Sequence, residues 1–210
     1  NIYIKAAPNE KQPISALLSI YIIVILFWAI FKQNGTALTV WAENYTNREI
    51  SAAVLPVVEP LGMTQTLTNE QGTYPAYDKN FRTEKDVDGK VVTTTTTHPY
   101  FINAPEKLPP AGASVKLIST EIFQSINPFF VIVLTPLVVG FFAMLRRRKR
   151  EPTTASKIGW GLLITSLSSL VMVAAVYVSQ NGLVKGSAWW LIGAYGVVTI
   201  GELCLSPMGL

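Results

Sequence analysis

The chain carries four long apolar stretches, and these restrict its fold more than any other feature. They define predicted transmembrane helices within residues 1–42, 122–145, 158–179 and 188–210. Each apolar stretch is about 20 residues or longer, the length that a helix needs to cross a hydrocarbon core of about 30 Å. The core of a bilayer holds no water to satisfy backbone N–H and C=O groups, so we expect every stretch to be helical.

The composition narrows the class of protein further. Only 14% of the residues are charged, against roughly a quarter in soluble domains. A single cysteine, Cys204, excludes a disulfide framework, and a single histidine, His98, leaves too few ligands for a metal centre. The sequence also offers no Ser-His-Asp, Ser–Lys or His–Asp arrangement. We therefore expect neither an enzyme nor a bound cofactor.

The polar connections predict how the helices are oriented in the membrane. Residues 146–157 hold a basic cluster, whereas residues 43–121, hereafter the insert, hold ten acidic and seven basic residues. Lys and Arg near membrane helices favour the cytoplasmic side. The net charge of +4 is therefore interpreted as a topology signal and not as a nucleic-acid surface. We expect a multi-pass protein of the bacterial inner (plasma) membrane, with loop 146–157 cytoplasmic and the insert periplasmic or extracellular.

The insert is too long for a plain loop, and its sequence predicts a small β-containing unit. Asp88-Gly89 is typical of a tight hairpin turn, and the β-branched run Thr93–Thr97 favours a strand. His98 follows this run beside Pro99, and we expect it to be a solvated loop histidine. The predicted fold class is an all-α polytopic membrane protein with a small β-containing extracytoplasmic insert.

Two ionisable residues fall within the predicted membrane helices, where charge is costly and so points to function. Lys32 follows the apolar run of the first helix, next to Gln33 and Asn34, and Glu202 lies well inside the fourth. Snorkelling towards the interface is the structural alternative for Lys32, and a buried structural acid is the alternative for Glu202. An acid and a base inside a polytopic protein fit a transporter first and a channel second.

Four motifs stand out along the chain. In order they are FWAIFKQ at residues 27–33, FQSINPFF at 123–130, the basic cluster with Glu151-Pro152, and GELCLSPMGL at 201–210. They resemble the seventh helix, the eighth helix, the connection from the eighth to the ninth helix, and the tenth helix of the proton-coupled oligopeptide transporter (POT/PTR) family of the major facilitator superfamily. The resemblance implies a partial C-terminal half of the major facilitator fold, from helix seven to helix ten of twelve.

The resemblance also implies roles for individual residues. Glu202 matches the acid that meets the amino terminus of a bound peptide, and Asn127 matches a polar residue that hydrogen-bonds the peptide backbone. Trp28 and Ser206 are weaker candidates, for side-chain packing and for hydrogen bonding in the pocket. The implied substrates are di- and tripeptides, and the implied source of energy is the proton gradient.

Lys32 departs from the family's pattern, which usually places at this position a glutamate implicated in proton coupling. A lysine cannot act as the same protonatable acid, although a buried lysine can titrate. The axial offset between Lys32 and Glu202 is about 7 Å, and we hypothesise a salt bridge that breaks when a peptide amine takes Glu202. Lys32, with Gln33 beside it, is therefore the candidate for gating or coupling.

These observations predict a secondary transporter that imports di- and tripeptides by proton symport and alternating access. Its partners would be the peptides, protons, the lipid bilayer and a missing N-terminal half of the same chain. We expect that missing half because the sequence opens at Asn1 without Met and closes on Leu210 inside an apolar stretch. Two alternatives stay open: transport of another small solute such as nitrate, and a membrane-anchored protein whose insert binds a partner.

Overall fold

The computed structural model describes residues 11–78 and 82–205, without the side chains of Leu26, Ala29, Ile30, Gln33 and Asn34. By compactness the chain divides into residues 1–37 and residues 38–210, and each unit is described by itself. The helices are α1 (Lys11–Asn44), α2 (Leu55–Val58), α3 (Thr120–Arg147), α4 (Thr154–Val178) and α5 (Ala188–Leu205). The strands are β1 (Thr64–Thr68), β2 (Gly72–Pro75), β3 (Thr93–Thr96) and β4 (Ser114–Ile118).

Within the described residues, three helices are long and apolar enough to cross a membrane, namely α3, α4 and α5. The apolar part of α1 is shorter and covers Lys11–Ile25. A membrane span in α1 therefore stays a prediction. The described part of the chain is thus mostly helical with a small sheet region. This agrees with the prediction of a helical protein that has a small β-containing insert.

The connection from α3 to α4 is organised by one carboxylate. Arg146 donates to both oxygens of Glu151, from Nε at 2.7 Å and from a terminal nitrogen at 3.0 Å, and Lys157 Nζ lies 2.7 Å from Oε1. Hydrogen bonds lower the pKa of Glu151 to about 2, and the bond from Arg146 contributes more than the bond from Lys157. The Thr153 side chain accepts from the backbone N–H of Ser156 and caps α4.

The insert contains two separate antiparallel strand pairs. β1 pairs with β4 in the register Thr64↔Ile118, and β2 pairs with β3 in the register Gly72↔Thr96. A small apolar core lies against the first pair and consists of Leu67, Tyr100, Phe101 and Leu117. Around the predicted Asp88-Gly89 turn, Gly89 has φ +77° and Lys85 and Val91 form an isolated bridge.

His98 differs from the sequence prediction, because it is buried and partnered and not solvated. The residue is 7% exposed, its Nδ1 accepts from the backbone N–H of Tyr100 at 3.1 Å, and its Nε2 lies 3.6 Å from Glu43 Oε1. Pro99 starts a short 3₁₀ turn, Pro99–Phe101, and His98 caps that turn. The side chain is therefore fixed by the turn that the neighbouring proline begins.

The insert is joined to the connection between α4 and α5 by backbone hydrogen bonds. Asn47 N donates to Gly186 O, and Gly186 N donates to Tyr45 O, both at 2.8 Å. In addition, Asn103 Nδ2 donates to Gly182 O at 2.6 Å. Residues 45–47 and 186 therefore form a short parallel bridge that holds the insert against this connection.

The ring of Tyr100 is fully buried, and two cationic side chains from other segments of the chain lie near it. The Arg48 guanidinium lies 5.1 Å from the ring centroid and the Lys185 Nζ lies 3.9 Å from it. Arg48 is itself fully buried and donates to Gln65 Oε1 at 2.7 Å and to Ile118 O at 2.8 Å. Lys185 Nζ donates to the carbonyl oxygen of Asn44 at 2.5 Å.

Burial lowers the pKa of Lys185 to about 7 from the ordinary 10.5, and the nearby charges of Arg48 and Lys107 act in the same direction. Glu106 opposes them and raises the pKa. Between about pH 7 and pH 10.5 the unfolded chain therefore binds a proton that the folded chain has lost. The free energy of unfolding rises with pH across this window.

Lys185→Met is therefore expected to flatten the pH dependence of stability of the complete protein. The wild type should gain thermal stability as the pH rises from about 7 towards 10.5, and the variant should gain less. Lys90→Met is the matched control, because that lysine is exposed and lies in the turn that Asp86 closes in the insert. Unfolding midpoints measured across this range would contradict the assignment if all three proteins changed in parallel.

Candidate functional site

A polar contact between two apolar helices marks the candidate site. Thr199 Oγ1 in α5 lies 2.6 Å from Asn127 Oδ1 in α3 and 2.7 Å from the carbonyl oxygen of Tyr195. A hydroxyl has one proton, so Thr199 donates to one of these oxygens at a time. Thr199 is fully buried and Asn127 is half-buried. The Asn127 amide nitrogen can therefore still donate to a further partner.

Glu202 lies on the same side of α5 as this contact. It follows Thr199 by three residues, which places the two side chains on one helix face about 4.5 Å apart along the axis. Glu202 is half-buried, while its neighbours Gly201 and Leu203 are buried. Asn127 thus contacts α5 at Thr199, and helical spacing places Glu202, predicted from a separate motif, one turn further along α5.

Close packing of α4 against α5 fixes the backbone beside Glu202. A Cβ added at Gly201 would lie 2.2 Å from Thr165 Oγ1 and 2.8 Å from the carbonyl oxygen of Gly161. A Cβ added at Gly161 would lie 2.9 Å from the carbonyl oxygen of Gly201. The two helices therefore approach each other through small residues, as is common between membrane helices.

Two further predicted site residues, Trp28 and Lys32, belong to the first compact unit and are described by themselves. Trp28 is 42% exposed and packs edge-on against Phe27 and Phe31, with ring centroids 5.6 and 5.3 Å apart. Lys32 is exposed. Both belong to the unit of residues 1–37, whereas Glu202 belongs to the other, so the approach of Lys32 to Glu202 stays a prediction.

For two predicted site residues the structure describes no side-chain contact. Ser206 lies outside the described residues, and the side chain of Gln33 is not among those described. Their proposed roles, in pocket hydrogen bonding and in coupling, therefore stay predictions.

Thr199 is a contact residue that the sequence analysis missed. It is a hydroxyl-bearing residue in an apolar helix, three positions before Glu202, which was predicted to bind the peptide. Helical spacing alone would have placed it beside that carboxylate. The signal was weak because a threonine in a membrane helix commonly bonds to its own backbone, and Thr199 also does so through Tyr195 O.

The arrangement has a definite chemical capacity. A carboxylate at Glu202 accepts hydrogen bonds only, and so favours an ammonium group. An amide at Asn127 both donates and accepts, and so suits a peptide group. A ligand that carries an ammonium next to an amide would match both residues.

Comparisons with known proteins find a family profile that matches the part of the chain holding this site. Residues 113–210 match the sequence profile of the POT family, which confirms the resemblance to proton-coupled oligopeptide transporters predicted from the motifs. Asn127 and Glu202 both fall in the matched range, while Trp28 and Lys32 precede it. No solved structure matches the chain.

Several individual proteins are similar to the chain. "Uncharacterized transporter YclF" of Bacillus subtilis (strain 168) is 39% identical over 206 residues, which cover 98% of this chain and 28% of that protein. A "Di-/tripeptide transporter" of Lactococcus lactis subsp. lactis (strain IL1403) is 24% identical over 98% of this chain and 29% of its own length. "Peptide transporter YePEPT" of Yersinia enterocolitica is 38% identical over 44% of this chain and 18% of its own length. The chain thus spans less than a third of the relatives that it matches.

Proposed function

Residues 113–210 carry the match to the POT family, and from this premise we propose that the protein containing this chain imports di- and tripeptides. The named relatives from Lactococcus lactis and Yersinia enterocolitica, a di-/tripeptide transporter and a peptide transporter, support the substrate class. We propose proton symport as the driving reaction and alternating access as the mechanism. In this proposal the basic connection after α3 is cytoplasmic and the insert lies outside.

The observation that carries the proposal is the half-buried Glu202 one turn beyond the Thr199–Asn127 contact. A carboxylate in a low-dielectric helix bundle is costly unless a cation pairs with it. The ammonium at the amino terminus of a peptide provides such a cation, and Asn127 can hydrogen-bond the adjacent peptide group. Because these contacts involve the backbone and the terminus, the site would accept many side chains.

Uptake by the complete protein in proteoliposomes tests the proposal. We expect accumulation of labelled dialanine when a proton gradient is directed inward, and collapse of that accumulation when a protonophore is added. Unlabelled tripeptide should compete, whereas nitrate should not, because its charge has the same sign as the Glu202 carboxylate. Gradient-driven nitrate uptake without dialanine uptake would replace the proposal with the small-solute alternative.

Lys32→Met tests the proposed coupling partner. A cation near Glu202 favours the ionised carboxylate and competes with the ammonium of the peptide. Its removal is expected to change the peptide affinity by about tenfold, equivalent to about 1.4 kcal/mol, and to shift the pH dependence of uptake. The exposed Lys90→Met serves as control. An affinity and a pH profile that both match those of the wild type would exclude a Lys32–Glu202 pair.

A further inference from the structure

A cavity of about 1460 Å³ lies between the insert and the connection from α4 to α5. Its volume exceeds the roughly 300–1,000 Å³ of pockets that hold drug-sized ligands, so it has room for a short peptide. Its wall includes three tyrosines, Tyr45, Tyr74 and Tyr77, together with Lys107 and Lys185. The family resemblance assigns no role to this part of the chain.

The wall of the cavity carries charged side chains of both signs, with Lys107 and Lys185 on it as well as Asp78 and Glu106. Lys185 lines the cavity and faces the Tyr100 ring, with the buried Arg48 guanidinium near the same ring. Among the described residues, no carboxylate lies within 4.0 Å of Arg48 or of Lys185. Lys107 also lines the cavity and pairs with Glu49 at 3.1 Å. A ligand carboxylate in the cavity would give Lys185 a partner of opposite charge.

Two amide side chains give the cavity a second kind of polar group. Within the described residues, Asn44 Oδ1 and Asn103 Oδ1 are buried and have no hydrogen-bond partner. Asn44 is 4% exposed, and both residues line the cavity. A buried acceptor without a donor costs free energy, so a ligand that brings N–H groups would favour a rotation of either side chain that turns its oxygen into the cavity. Asp78 and Glu106 lie on the same wall and carry the charge that attracts an ammonium.

We propose that this cavity is a second binding site for short peptides, in which Lys185 and Lys107 hold the terminal carboxylate. Asn44 and Asn103 accept from the peptide N–H groups, and the tyrosine rings pack against the side chains of the peptide. This assignment rests on the proposed peptide transport for its choice of ligand. The cavity lies between the insert and the connection from α4 to α5, and its wall does not include Glu202, so it would capture substrate without translocating it.

Acylation of Lys185 in the complete wild-type protein tests this assignment. Burial and the neighbouring cations lower the pKa of Lys185 to about 7, so near neutral pH much of this lysine is the neutral, reactive amine. The detergent-solubilised protein is treated with an amine-acetylating reagent, and the acetylation of each lysine is followed by mass spectrometry. Lys90, exposed and outside the cavity wall, is the internal reference that corrects for reagent consumed by the ligand.

Dialanine is expected to slow acetylation of Lys185 relative to Lys90, by about tenfold at ten times its dissociation constant. Dialanine amide, which lacks the carboxylate, should protect much less, and acetate should protect less than dialanine. An unchanged Lys185 rate with saturating dialanine would overturn the proposal. Equal protection by acetate would overturn the peptide assignment and leave a general carboxylate site.

Repeating the acetylation in the Glu202→Gln protein separates the two sites. Protection of Lys185 by dialanine should persist, because Glu202 is not part of the cavity wall. Loss of protection in this variant would overturn the proposal and assign the effect to the membrane site. The readout needs no transport, so failure of dialanine uptake and failure of Lys185 protection are distinguishable results.

Discussion

Glu202→Gln is expected to reduce uptake of dialanine by the complete protein by about 100-fold or more. Glutamine keeps the size of the side chain but cannot offer a full negative charge to the ammonium of the peptide. Removing one member of a buried ion pair costs about 3–5 kcal/mol, and each 1.4 kcal/mol is a factor of about ten in affinity. The half-buried position of Glu202 beside the Asn127–Thr199 contact gives this carboxylate the low-dielectric surroundings that the estimate assumes.

Glu121→Gln is the matched control for this substitution, because Glu121 is an exposed acid in the first turn of α3. Uptake at saturating and at limiting dialanine should be measured for both variants at the same protein density. Wild-type uptake by Glu202→Gln would remove the ammonium partner from the mechanism. Equal losses in both variants would indicate a general effect of acidic charge on the protein and not a role of Glu202 in binding.

The long helices could be predicted from the sequence because their signal is local. Apolar length alone indicated the three helices that are observed as Thr120–Arg147, Thr154–Val178 and Ala188–Leu205. The insert could not be predicted in the same way, because its pairings join distant segments. β1 pairs with β4 across about 50 residues, and no local period in the sequence specifies such a partner.

Charged side chains in the insert and in the connection from α4 to α5 show the same limit. A composition rule treats Arg48 and Lys185 as surface charges, yet the structure places both near the ring of Tyr100. These three residues come from three segments that the sequence separates by 52 and 85 positions. His98 was predicted to be solvated and is buried for a related reason, because its partner Glu43 precedes it by 55 residues.

The candidate site was predictable to the extent that it depends on residues that do not suit a membrane. Glu202 is an acid in an apolar helix, and Asn127 precedes a proline in another; both features identify candidates without any knowledge of the fold. That the two face one region is a property of packing, which only the contact through Thr199 reveals. The packing of α4 against α5 next to Glu202 is likewise a result of three-dimensional structure.

Gly201→Ala is expected to destabilise the complete protein by about 3 kcal/mol, at the upper end of the cost of overpacking. The added Cβ would lie 2.2 Å from Thr165 Oγ1, 2.8 Å from Gly161 O and 3.0 Å from Thr165 N. Two of these three atoms belong to the backbone of α4, so the contacts are relieved only if the helices separate. Gly193→Ala is the matched control, because a Cβ at Gly193 in the same helix has nothing within 4 Å.

A double substitution distinguishes steric overpacking from an effect of alanine on the helix itself. Thr165→Ala removes the hydroxyl that lies closest to the added Cβ, but the contact with Gly161 O remains. Gly201→Ala should therefore cost less in the Thr165→Ala background than in the wild type, though still more than Gly193→Ala, and this non-additivity measures the direct contact. Thermal unfolding of the purified proteins provides the values. Additive effects, or equal midpoints for Gly201→Ala and Gly193→Ala, would show that α4 and α5 do not approach each other through Gly201 and that this contact does not position Glu202.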